Sequence, residues 1–133
     1  MIRFGYACIC QELTAKNIRT GRTMIDTTFK LGGMQLAGEI SLANAKDLLT
    51  ILQWNEANGI KLFRIGSELF PRWNQYRLED IPQIDEITKH LRAAGDFAKV
   101  HGHRITTHPG PFHILGSPED RVVDNSLVSL ERH

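Results

Sequence analysis

A chain of 133 residues has room for one domain with a real core, and its 41% apolar and 23% charged residues are those of a folded protein, not a disordered one. A formal net charge of +1, with acids and bases intermixed, excludes a bulk-electrostatic nucleic-acid binder and leaves room only for a local basic patch. No apolar run approaches the roughly 18 residues of a membrane span, and the N-terminal MIRFGYACIC carries no signal-peptide pattern, so an intracellular, cytoplasmic location is the expectation.

Ile2 to Ile9 reads as a first strand: β-prone, apolar and free of breakers. Cys8 and Cys10, two apart on such a strand, would project from one face, which suits reduced core thiols and not a disulfide. Gln11 to Gly38 shows no clear periodicity and contains Gly21 and Gly32-Gly33, so it reads as a long irregular loop, a length usually tied to function. Ser41 opens a helix whose apolar stripe is Leu42, Ala45, Leu48, Leu49 and Leu52, and Asn58-Gly59 ends it. Ile60 to Ile65 is a second strand, and residues 66–83 form a second loop.

Ile84, Ile87, Leu91, Ala94 and Ala98 mark another helix, stopped near Gly102. RITTH, Arg104 to His108, is the third strand. Ser117, Pro118, Glu119 and Asp120 then make a helix start, with an N-cap serine, proline in the first turn and acids behind it. Strands alternating with helices imply a parallel sheet, whose ligand site lies beyond the carboxyl ends of the strands. His108 stands on that edge, just before the turn forced by Pro109-Gly110. An imidazole there is a metal ligand or a packing residue; one histidine does not decide between them. Residues 1–133 read as one domain. A full (β/α)8 barrel needs about 250 residues, so three βα units would be its first portion or a small open sheet.

Several segments resemble one family, the UV damage endonucleases of the UVDE type. They are RFGYACIC at the start, RTGRT at Arg19–Thr23, DLLTILQWNEANGIKLFRIGSELFP at Asp47–Pro71, and AGDFAKVHGHRITTHPGPFHILGSP at Ala94–Pro118. In order and spacing they cover nearly the whole chain. The resemblance implies an α/β (β/α)8 TIM-barrel type of which this chain holds the first three or so βα units. It implies metal-dependent cleavage of the DNA backbone on the 5′ side of UV photoproducts, with Mn2+ as the divalent metal. It further implies that His108 is a metal ligand, that Tyr6 lies near the lesion pocket, and that Pro111 and Phe112 enter duplex DNA opposite the lesion. Read without the resemblance, Tyr6 is equally a core strand residue with a satisfied hydroxyl, and Phe112 an aromatic tucked under its own loop.

The chain departs from the family pattern at Cys10, where asparagine is usual, at Pro111, where glutamine is usual, and near Gln75, where a histidine often stands. The other implied ligands fall beyond residue 133. The expected partners are double-stranded DNA carrying photoproducts and the missing barrel half as a second chain, with no membrane. The rival readings are a sugar isomerase or epimerase of similar barrel type, and an inactive half-barrel that binds DNA or a partner chain.

Overall fold

The computed structural model describes residues 2–110 and 113–131. Three strands form one sheet in the order β1 (Gly5–Ala7), β2 (Leu62–Gly66), β3 (Arg104–His108). Both pairings are parallel, with Tyr6 beside Phe63 and Phe63 beside Ile105. Each crossover carries a helix, as parallel pairing of successive strands demands. The long α2 (Asp26–Ala57) connects β1 to β2, and α3 (Ile84–Val100) connects β2 to β3; a single turn, α1 (Gln11–Thr14), precedes α2, and α4 (Asp120–Glu131) follows β3.

Side chains alternate across a strand. Phe63 and Ile65 are therefore on one face, where they are buried against Leu48, Ile51 and Leu52 of α2 and Ala94 and Ala98 of α3. Arg64 between them faces the other way and is exposed. The helices thus cover one face of the sheet, and the opposite face is open. A second apolar cluster, Ala45, Phe70, Ile81 and Ile87, ties the connection after β2 to the same two helices. That connection is not structureless: it is three 3-10 turns, Ser67–Leu69, Trp73–Gln75 and Leu78–Asp80.

The sequence-based elements shift in several places. The first strand ends at Ala7, because Cys8 adopts a left-handed backbone (φ 62°) while its N–H donates to the Arg64 carbonyl. The two cysteines consequently do not share a face: Cys10 is buried in the core and Cys8 is partly exposed. The expected loop from Gln11 to Gly38 is helical from Asp26 onward, broken only at Gly33 (φ 57°), a conformation that glycine adopts without penalty. Its periodicity was invisible because the segment around the break does not face the core; Leu31 is 91% exposed. Ser41 accordingly sits inside α2, its hydroxyl donating to the Ala37 carbonyl, and caps nothing. The last helix begins at Asp120, and Ser117 accepts the Glu119 N–H ahead of it. The second strand runs Leu62–Gly66 and not Ile60 to Ile65, while the Asn58-Gly59 stop, α3 and β3 fall where the sequence puts them.

Candidate functional site

The carboxyl edge of the sheet is built from three adjacent positions. Cys8 follows β1, Gly66 ends β2, and His108 ends β3 directly beside Gly66. The Cys8 thiol leans over Gly66; a β-carbon there would lie 3.4 Å from the sulfur. His108 is exposed, and its ring makes no hydrogen bond or ion pair with the described residues. By strand alternation it shares the open face with Arg64 and Thr106.

The loops around this edge are held from below by Asn44, a fully buried residue of α2. Its side-chain amide donates to the carbonyls of Arg22 (3.0 Å), Glu68 (3.1 Å) and Leu69 (3.3 Å), and its Oδ1 accepts the Arg22 N–H at 3.0 Å. One side chain therefore fixes the loop after β1 to the loop after β2. Thr23 adds a bond to Glu68 at 2.7 Å. Arg22 is spent inside its own loop, donating to the carbonyls of Arg19 and Asn17 and pairing with Asp47 at 2.7 Å. Arg72, in a left-handed conformation (φ 58°), pairs with Asp26 at 2.6 Å, and Gln75 donates to the same carboxylate at 2.9 Å. The Gln75 hydrogen bond, then Lys30 at 2.9 Å and the Arg72 charge, hold the Asp26 carboxyl down at about 2. Arg22 and Arg72 of the loops are therefore structural, and Arg64 of β2 projects from the open face. Gln75 serves Asp26.

A cleft of about 750 Å³ opens on this rim between the loop after β2 and α4, with Glu68, Trp73, Gly110, His113 and Ser129 in its wall. His113 is occupied. Its Nδ1 lies 2.6 Å from the Gly110 carbonyl and so carries the proton, and its Nε2 accepts from the Ser129 hydroxyl at 2.8 Å.

Tyr6 is not brought together with His108. It pairs with Phe63 on the helix-covered face, ring centroids 5.2 Å apart, and its hydroxyl donates to Asn55 Oδ1 at 2.8 Å. Burial pushes its phenol well above the usual range. Asn55 lies in the last turn of α2, so the Tyr6 hydroxyl is held on the helix-covered face, opposite the face that carries His108. This is the geometry of a packing residue. Pro111 and Phe112 lie outside the described residues.

The amino end of the strands carries its own polar network. Glu56 Oε2 is 2.5 Å from Lys61 Nζ and 2.6 Å from His103 Nε2, and Lys61 donates to the His101 carbonyl. The Glu56 carboxyl is held at about 2, chiefly by Lys61 and then by His103. The His103 side chain is 1% exposed. This network locks the turns that feed β2 and β3, and it is remote from His108 along the strands.

An exposed imidazole suits one coordination position of a divalent ion. Among the described residues, however, no three His, Cys, Asp or Glu side chains gather into a metal centre. The residues present fit one donor of such a centre and not the centre itself. Sequence reasoning missed Asn44 and the left-handed Cys8. Asn44 had a signal, since it is a polar residue one turn before Leu48 on the apolar stripe of its helix; Cys8 had none, because its conformation comes from how the strand ends.

The family model described as UV-endonuclease UvdE matches residues 2–133. A putative UV-damage endonuclease from Acanthamoeba polyphaga mimivirus is 40% identical over 134 residues, covering 100% of this chain and 41% of the relative. The UV-damage endonuclease of Neurospora crassa is 42% identical over 105 residues, 76% of this chain and 15% of the relative. The UV DNA damage endonuclease of Clostridium perfringens is 32% identical, with 99% of this chain and 30% of the relative covered. The crystal structure of SacUVDE superposes with a TM-score of 0.82 at 27% identity, over 100% of this chain and 44% of that one. The chain thus spans less than half the length of these relatives, matching their N-terminal part, and its fold is the first portion of a TIM-barrel type.

Proposed function

This chain belongs to the UV-endonuclease UvdE family, and we propose from that membership that it is the N-terminal portion of a metal-dependent endonuclease that nicks DNA 5′ to UV photoproducts. The observation that carries the reading is the exposed His108 at the carboxyl edge of a parallel sheet, in a chain matched to the family from end to end. Irregular backbone and free side chains at that edge are where such sheets act.

In this proposal His108 is one ligand of a divalent centre, with manganese as the metal. A bound divalent ion would neutralise charge on the phosphate and lower the pKa of an attacking water. The chain's own residues do the placing. β3 aims the imidazole, Asn44 fixes the two flanking loops, and Arg64 puts a cation one layer beneath the rim. Pro111 and Phe112 follow His108 by a few residues and are proposed to meet the duplex opposite the lesion, where unstacking a damaged step costs less than unstacking a sound one. Tyr6 contributes through strand packing. Double-stranded DNA with photoproducts is the substrate, and the barrel half not spanned here supplies the remaining ligands, as a second chain or as one polypeptide.

The test is nicking of supercoiled plasmid by this chain fused to the barrel segment that follows the matched region in the mimivirus relative, with Mn2+ added. The proposal expects irradiated plasmid to be nicked and undamaged plasmid to be spared. Equal nicking of both, or none of either, rejects it.

A further inference from the structure

The open face of the sheet carries a charge pattern that the described residues do not answer. In register across the three strands it presents Gly5 and Ala7, then Leu62, Arg64 and Gly66, then Arg104, Thr106 and His108. Two of these are guanidiniums and none is a carboxylate. Arg64 reaches only the Thr107 carbonyl, at 3.3 Å. The Arg104 guanidinium has no hydrogen-bond or ion-pair partner among the described residues, its backbone N–H alone donating to the Lys61 carbonyl. Between them the Thr106 hydroxyl is buried with no partner among those residues. On the helix side, Ile2 and Phe4 beside the free edge of β1 are 83% and 78% exposed. A bare parallel sheet with two unpaired edges, exposed apolar flanks and an orphaned hydroxyl is a surface shaped to be covered.

The occupant follows from the superposition. All of this chain fits SacUVDE, and the rest of that chain, more than half of it, has no counterpart here. We infer that the open face seats the following barrel segment of a UvdE-type chain, and that this segment presents carboxylates to Arg64 and Arg104. The inference rests on the family reading and adds a chemical requirement to it. Once strands close over the sheet, both guanidiniums leave water, and a cation buried without a partner is costly enough to prevent docking. A bidentate carboxylate satisfies a guanidinium in geometry as well as charge. The complement is therefore acidic where it meets the middle and lower layers of the sheet.

The experiment mixes this chain with a separately made polypeptide corresponding to the segment that follows the matched region in the mimivirus relative. It is read by size exclusion with light scattering and by titration, without DNA or metal. A one-to-one complex is expected, weakened at least about tenfold by Arg64→Glu and by Arg104→Glu, and less by Arg64→Lys. Circular dichroism of each variant confirms that it is folded; both sites are exposed in the isolated chain, so folding is expected to survive. No complex, self-association of this chain alone, or charge reversals that leave affinity within about twofold would each overturn the inference. Because nicking is tested on the covalent fusion, a complex without nicking rejects the endonuclease reading and keeps this one, and nicking without the arginine effect does the reverse.

Discussion

His108 and His103 are both histidines on or beside β3, five residues apart, and their surroundings separate their roles. His103 is enclosed and bonded to Glu56, while His108 is exposed at the opposite end of the strand. His108→Ala is expected to weaken Mn2+ binding by the chain fused to the rest of the barrel, read by electron paramagnetic resonance, with thermal stability changed little because the side chain is on the surface. Phe112→Ala is expected to weaken binding to irradiated duplex more than to undamaged duplex in a mobility-shift assay; equal losses would defeat the wedge assignment. Glu56 predicts a pH dependence. Its folded carboxyl titrates at about 2 against an ordinary value of 4.5, so the unfolded chain takes up the proton first as pH falls. Its contribution to stability is fully present above pH 4.5 and lost between there and pH 2. Urea midpoints of the wild type and Glu56→Gln should therefore converge across that range, while they differ at neutral pH.

At the scale of elements, α2 decides where the rim loops stand. Asn44 answers two loops at once, and its removal strands a buried N–H and several carbonyls. Asn44→Ala is expected to cost about 1–3 kcal/mol and to speed hydrogen exchange in the loops around Arg22 and Glu68. Phe63→Ala should cost about 3–5 kcal/mol, since the ring is fully buried between both long helices. These elements also mark how far the sequence could be read. α3 and β3 were legible because Ile87, Ala94 and Ala98 repeat at helical spacing and RITTH is bounded by glycines. The first half of α2 was not, because Leu31 and Met34 face water and the Gly32-Gly33 pair resembles a loop. The place of His108 at the end of β3 was legible too, because Pro109 and Gly110 follow it. The opposition of Tyr6 and His108 was beyond reach, because it depends on register, and register is set by pairing and not by composition.

At the scale of the whole molecule, the chain is the first portion of a barrel: two long helices on one face of a three-stranded sheet, a basic face left open, an edge carrying the exposed His108 at one end and a locked polar network at the other. The amino end is closed by satisfied charges, whereas at the carboxyl end His108 stands without a partner among the described residues. A net charge of +1 hides the basic face, since the cations of the open face are offset by acids elsewhere. Which end of the sheet meets a divalent ion decides the proposed function, and paramagnetic broadening of amide signals by traces of Mn2+ reads that directly. Broadening centred on Cys8, Gly66 and His108, and lost in His108→Ala, is the predicted result. Broadening centred on His101 and His103, or spread evenly over the chain, would contradict it.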